Sequence, residues 1–283
     1  MEIRSLTGVG MDVILTGFEE AFGGYAVDFD RQELVEMFRR RGFDPEVSFG
    51  AFDNGALVSF ILTGLGQYDG IPTAYDCATG TNPAYRGRHL AATLFDSVVA
   101  GLRERGIRQY LLEVLSENEP AIELYRRKGF AVAAEYDCFR IVSSDLVCSA
   151  KEPEGDFEIR RFEPELLGAT EAFCDFSPSW QNSLGSLMRG AAGLGRWGAY
   201  VSGNLVGCCV HDPVTGDVAR IAVAPGFRRR GIASALMKRA LSESASETAK
   251  VLNIPVSDKT LRPFLTALGF CRGLSQYGMS LQL

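Results

Sequence analysis

Hydrophobic and polar positions fall into short strand-like runs separated by turn residues, and one change of period occurs twice along the chain. In the first half, Ala51 and Phe52 precede the turn Asp53-Asn54-Gly55, which leads into the apolar run Leu57–Leu62. Asn-Gly between two such runs signals a hairpin, because the tight turn needs left-handed backbone that Asn and Gly tolerate. Ile71–Thr79 reads as a further strand. Past Arg86 the apolar positions move to helical spacing, at Leu90, Leu94, Val98 and Leu102. A strand over Tyr110–Val114 follows, then a helix over Ala121–Lys128 closed by Gly129, and a final hairpin through Phe130–Val132 and Cys138–Val142.

The second half repeats this series. Ala199–Val201, the turn Ser202-Gly203-Asn204, Leu205–Val210, the turn Thr215-Gly216-Asp217 and Val218–Val223 make a meander; Ile232, Leu236 and Ala240 make a helix face; Val251–Ile254 makes a strand. Phe157–Phe162 opens this half as Glu2–Leu6 opens the first. Aligned directly, Asn82–Ala91 reads NPAYRGRHLA and Ala224–Ala233 reads APGFRRRGIA, with Arg86 and Arg228 lying 142 residues apart. Each segment reaches a Gly-Phe pair downstream, Gly129-Phe130 and Gly269-Phe270. Two copies of one plan are therefore expected, residues 1–142 and 157–283, joined by a linker over 143–156. Strand, helix and strand in succession make a right-handed crossover with parallel neighbours. The fold class is thus α/β with a mixed sheet, mostly antiparallel, in each of two tandem domains.

Composition narrows the function. At 46% hydrophobic and 23% charged residues, the 283-residue chain has material for two cores. A net charge of −6 has the wrong sign for a general nucleic-acid or anionic-membrane binder, so an anionic ligand has to be held locally. The seven cysteines include no C-x-x-C, and only two histidines accompany them, which argues against zinc and against a disulfide framework. No metal and a cytoplasmic setting are expected, since the start of the sequence lacks the pattern of a signal peptide and no apolar run approaches a membrane span.

The repeated arginine segment carries the candidate chemistry. A loop that leaves a strand and enters a helix, with small and basic residues at the turn, suits a phosphate group: the first-turn amides have no intrahelical acceptor and the helix dipole favours negative charge. Arg86-Gly87-Arg88 and Arg228-Arg229-Arg230 stand at these places.

At this point the chain resembles the GNAT superfamily of acyl-CoA-dependent N-acyltransferases. That family's signature is Gln or Arg, two residues, Gly, one residue, Gly or Ala, with a later Asn, two residues, Ala, and a Leu-Tyr ahead of Gly-Phe. Asn118–Phe130, NEPAIELYRRKGF, matches the later part in full, whereas His89 occupies the signature glycine position of the first copy. In the second copy RRRGIA fits the phosphate signature, but Leu265 stands where Tyr is expected and Pro263 falls inside the expected helix, forcing it to start late or kink.

The resemblance implies acetyl-CoA as co-substrate and an N-acetyltransferase acting on a primary amine of a small molecule or peptide. Arg86, Gly87, Arg88, His89, Leu90 and Ala91, or Arg228, Arg229, Arg230, Gly231, Ile232 and Ala233, would hold the pyrophosphate, with Asn118 and the strand ends at Thr79, Thr81 and Val223 along the rest of the coenzyme. Tyr125 inherits the role of general acid at the leaving sulfur. Asp76 and Glu113 are the candidate bases, and a backbone amide within Thr79-Gly80-Thr81 would polarise the thioester carbonyl. Phe22 and Tyr25 in one copy, and Trp180 in the other, are candidates for the acceptor site. Three readings follow: chemistry in the first domain, chemistry in the second, or an acyl-CoA-binding protein without catalysis.

Overall fold

The computed structural model describes residues 1–23, 30–147 and 155–283. They divide into two compact units, one of Met1–Ala133 with Gly278–Leu283 and one of Ala134–Tyr277.

In the first unit β1 (Glu2–Ser5), β2 (Phe49–Asp53), β3 (Ala56–Tyr68) and β4 (Ile71–Thr81) form an antiparallel meander. Its turns are Asn54-Gly55 and Asp69-Gly70, and all four residues have positive φ, as this type of hairpin requires. β3 runs past the expected end at Leu62. Gly64 within it explains the extension: a Cβ there would lie 2.2 Å from the Arg41 carbonyl oxygen, so the strand reads as polar and glycine-rich because a helix end presses on it. That helix, α2 (Arg31–Arg41), follows α1 (Met11–Phe22); it is capped by Asp30, which accepts from the Gln32 and Glu33 amides, and is stopped by left-handed Gly42.

The crossover runs from β4 through α3 (Leu90–Glu104) to β5 (Gln109–Leu115). β4 and β5 are parallel, pairing Thr73 with Gln109 through Tyr75 with Leu111. The four helical positions expected to face inward, Leu90, Leu94, Val98 and Leu102, are all buried, together with Phe95. Each such side chain contributes about 1.5–3 kcal/mol by leaving water. α4 (Glu119–Arg127) then sets the Tyr125 ring 5.5 Å from Phe95 and 5.8 Å from Phe130, centroid to centroid.

The chain passes into the second unit within β6 (Ala131–Val142). There β7 (Glu158–Arg161), β8 (Gly195–Val201), β9 (Asn204–His211) and β10 (Val218–Val223) repeat the meander, and α6 (Ile232–Leu241) leads to β11 (Thr248–Pro255). The region matching α1 and α2 is instead a 3-10 segment, Pro164–Phe173, a second one at Trp180–Asn182, and α5 (Leu184–Gly190). α7 (Leu261–Ala267) accommodates Pro263 in its first turn, where a missing N–H has no intrahelical partner to lose.

Units and sequence halves differ at their final strands. Tyr136–Val142 of β6 pairs antiparallel with Pro255–Thr248 of β11 inside the second unit, and the last residues of β12 (Cys271–Gln282) lie beside β5 in the first, with the Leu283 amide on the Arg108 carbonyl at 2.9 Å. The hairpin expected between Phe130–Val132 and Cys138–Val142 is instead this one continuous strand, β6, and its partner β11 comes from the other sequence half, because local pattern marks strand residues without fixing what they pair with. Of the linker, Ser143–Asp145 forms a 3-10 turn and the Val147 amide bonds to Leu268; residues 148–154 lie outside the described part.

Candidate functional site

In both units the second strand of the crossover is paired with the first strand only at its start. β4 keeps β5 as far as Tyr75, and β10 meets β11 only at Asp217 opposite Lys250; beyond those points the parallel strands part. Each parting coincides with a β-bulge. Cys77 is the extra residue in β4, between Asp76 opposite Thr63 and Ala78 opposite Leu62; Ala219, the matching residue 142 positions on, is the extra one in β10. A bulge breaks the strict alternation of side chains and re-aims the next residues, a device common beside binding sites.

In the first unit the parted strands enclose a buried polar pair. Tyr125 Oη donates to Asp76 Oδ2 at 3.4 Å, Thr79 Oγ1 donates to the same oxygen at 2.7 Å, and Asp76 Oδ1 is buried without a partner. Burial pushes the Asp76 carboxyl up to about 6, against the pull of the Thr79 and Tyr125 hydrogen bonds and the Arg41 charge. Burial and the neighbouring Asp76 charge hold the Tyr125 phenol well above its ordinary value. Glu113 is engaged elsewhere, accepting from the buried Tyr75 hydroxyl. Of the two candidate bases, only Asp76 therefore meets Tyr125. At the matching places of the second unit stand Val218 and Leu265, both buried, so no acid–base pair occupies them.

The two arginine loops are built alike. Arg86 Nε donates to the Thr81 carbonyl at 3.2 Å and Nη2 to Ala21 at 3.1 Å; Arg228 Nε donates to Val223 at 2.8 Å, Nη2 to Phe173 at 3.1 Å and Nη1 to Asp175 at 2.9 Å. Both guanidiniums thus fasten the loop to the strand end behind it and face their own chain. The third arginine repeats too: Arg88 lies over Tyr85 and bonds to the Ala84 carbonyl, and Arg230 lies over Phe227 and bonds to Gly226. Two left-handed residues shape each loop, Gly87 and His89 in one, Arg229 and Gly231 in the other. α3 and α6 begin directly afterwards, at Leu90 and Ile232, with Ala91 and Ala233 second, and neither helix has a side-chain cap on its first amides. Amides left open at a helix start, with glycine beside them, form a seat for an anion.

The space next to the loops differs. In the second unit a cleft of about 1110 Å3 opens between β10, β11, α6 and α7, reaching from Val223 and Arg229–Ala233 to Phe176 and Arg220. In the first, a groove of about 440 Å3 lies between His89 before α3 and Pro120 and Leu124 of α4, with Lys128 just past its end. Other sequence candidates have structural partners. Asn118 Oδ1 caps α4 through the Ala121 amide, Thr81 shares a hydroxyl hydrogen bond with Ser59, Phe22 packs on Phe18, and Trp180 is buried beneath Arg189. Tyr25 lies outside the described residues. The sequence reading missed Arg220, although a lone arginine inside the apolar run Val218–Val223 is a visible signal. It also missed Asn253, a buried cleft residue with left-handed backbone at a bulge in β11. Among the described residues no helix is long and apolar enough to cross a membrane, and no group of three or more His, Cys, Asp or Glu could hold a metal ion.

Comparison with known proteins converges on one family. The sequence model of the Acetyltransferase (GNAT) family matches residues 15–130 and 165–270. A mycothiol acetyltransferase of Thermobifida fusca is 35% identical over 106 residues, a stretch that spans 35% of this chain and 33% of that protein. An N-alpha-acetyltransferase MAK3 of Arabidopsis thaliana is 30% identical over 107 residues, 37% of this chain and 56% of that one. Among solved structures, a tandem GNAT protein from the clavulanic acid biosynthesis pathway superposes with a TM-score of 0.73 at 15% identity, covering 99% of this chain and 98% of its own. A GCN5-related N-acetyltransferase from Sphaerobacter thermophilus gives 0.72 at 15% identity, covering 99% and 95%. Identities this low speak for the tandem fold alone.

Proposed function

Because the chain belongs to the acetyltransferase (GNAT) family, we propose that it transfers an acetyl group from acetyl-CoA to a primary amine of a small molecule or peptide, with the chemistry in the first unit. The observation that carries this reading is the hydrogen bond between Tyr125 and Asp76 where β4 leaves β5. The donor would supply a thioester carbonyl and a thiolate leaving group. The groups present suit it: parted strands beside a bulge, open amides at the start of α3, and a groove between α3 and α4.

The residues then divide the proton work. Asp76, with its carboxyl near 6, is ionised at neutral pH and takes the proton that the amine sheds as its nitrogen bonds to the acyl carbon. A backbone amide on the Thr79-Gly80-Thr81 stretch donates to the oxygen that gains charge. Tyr125 stays protonated at every physiological pH and gives its hydroxyl proton to the sulfur as the carbon–sulfur bond breaks. Protonated Asp76 returns a proton to the phenolate along the hydrogen bond they already share, which resets both groups. Steady-state turnover of acetyl-CoA on an amine panel tests this: Tyr125→Phe is expected to lose turnover and keep coenzyme A affinity, and equal rates would remove the role.

A second reading places the thioester in the second unit, and the 1110 Å3 cleft beside Arg229–Ala233 favours it. There the proton shed by the neutral amine on attack and the proton needed by the leaving sulfur would have no side-chain carrier at these places, because Val218 and Leu265 cannot titrate. Calorimetric titration of coenzyme A into Arg88→Glu and Arg229→Glu variants separates the two, since only the loop that binds loses affinity.

A further inference from the structure

Arg220 sits on β10 with 4% of its surface exposed and lines the cleft of the second unit. Its Nη1 donates to Thr170 Oγ1 at 2.8 Å and to the Leu167 carbonyl at 3.5 Å, and its Nη2 to the Asn182 carbonyl at 3.4 Å. Every one of these acceptors is neutral. The Nε is buried with no acceptor, and among the described residues no carboxylate forms an ion pair with this guanidinium. Asp175, also on the cleft wall, is engaged by Arg228 at 2.9 Å and by Thr260 Oγ1 at 2.9 Å.

A cation withdrawn from water without a counter-charge is costly, and neutral carbonyls offset only part of the loss. The fold does not require it: the matching position in the first unit, 142 residues earlier, is Ala78 in an otherwise equivalent strand. A guanidinium retained under these conditions is set to receive an anion that arrives with a ligand. Its planar edge matches a carboxylate, which accepts two parallel N–H bonds, and Arg220 belongs to β10 rather than to the loop and helix start at Arg229–Ala233 that line the same cleft.

We propose that the cleft of the second unit binds a molecule bearing a carboxylate, and that Arg220 is the residue that anchors that carboxylate. Two carriers share this chemistry, an acceptor amine that is also an acid and a thioester whose acyl chain ends in an acid. The proposal concerns a binding site and stands whichever unit performs transfer.

Calorimetry on the full chain tests it in two arms, without turnover. One compares succinyl-CoA with acetyl-CoA; the other compares L-amino acids with the corresponding amino alcohols in the presence of coenzyme A. In one arm the wild type is expected to prefer the acid by at least about tenfold, roughly what one charge-assisted pair contributes. The preference should vanish in Arg220→Met while coenzyme A affinity holds within about twofold. The arm that responds identifies the carrier. No preference in either arm, or a preference that survives Arg220→Met, overturns the proposal. Should thermal melts show Arg220→Met unfolded, Arg220→Lys keeps the charge and loses the fork, and an unchanged preference in that variant overturns it equally. Loss of turnover in Tyr125→Phe with the preference intact would leave this inference standing on its own.

Discussion

Tyr125 Oη and Asp76 Oδ2 lie 3.4 Å apart in a buried pocket where each perturbs the other, the phenol stabilising the carboxylate and the carboxylate holding the phenol protonated. A long bond between such groups is common before a substrate arrives and shortens when one does.

From this relationship follows a pH limb. A base whose carboxyl titrates near 6 gives kcat/KM that rises with pH through about 6 and levels above it. Asp76→Asn should abolish the limb and lower kcat/KM by about 10²–10⁴, read from rate profiles between pH 5 and 8.

The same substitution should stabilise the fold. The Asp76 carboxyl is raised from 3.8 to about 6, so the folded chain holds more protons than the unfolded one between those values, and stability falls as pH rises through about 6. At pH 8 the ionised carboxylate costs on the order of 3 kcal/mol, at roughly 1.4 kcal/mol per unit. Thermal melts should therefore show Asp76→Asn above wild type at pH 8, with the gap closing toward pH 4.

Arg228 serves as a fastener, and charge alone should not replace it. Its three donors reach Val223, Phe173 and Asp175 from one planar fork. Arg228→Lys should lose about 1–2 kcal/mol, discounted for a site about a third exposed, and nearly as much as Arg228→Ala. Denaturant melts of the two variants check this; a lysine variant at wild-type stability would contradict it.

His89 and Gly231 occupy the same loop position with the same left-handed backbone. His89→Gly should be neutral or stabilising by up to about 1 kcal/mol, and Gly231→Ala destabilising by about 1–2 kcal/mol, because only the second places a Cβ in strain. Paired melts give both signs.

How much of this was legible in the sequence depended on whether a signal was local. The turn at Asn54-Gly55 and the inward face of α3 follow from chain geometry and read directly, whereas Pro263 leaves a late start and a kink both open, a choice that α7 resolves by beginning at Leu261. The duplication was visible because Arg86 and Arg228 carry the same neighbours, yet their side chains turn inward to carbonyls of Ala21 and Phe173, which only the folded chain brings within reach. Asp76 could be picked as a candidate, but its distinction from Glu113 depends on Tyr125 and Tyr75 arriving from other elements. Arg220 was passed over because strand patterning treats one charge in an apolar run as noise, and its meaning lies in the absence of a counter-charge around it.

Synthesis from the amino end gives the final strands a temporal meaning. Because Gly278–Leu283 belongs to the first compact unit, that unit stays incomplete while the whole of the second is being made. β5, finished at Leu115, waits with an edge unfilled until Gly278–Leu283 has been made, and an open edge invites pairing with other chains. Deleting 278–283 should reproduce that waiting state in a purified protein, with faster amide exchange in Gln109–Leu115 and a tendency to associate. The two copies are thus bound by an order of events: the first compact unit closes only when Gly278–Leu283 arrives, after the second arginine loop has been made.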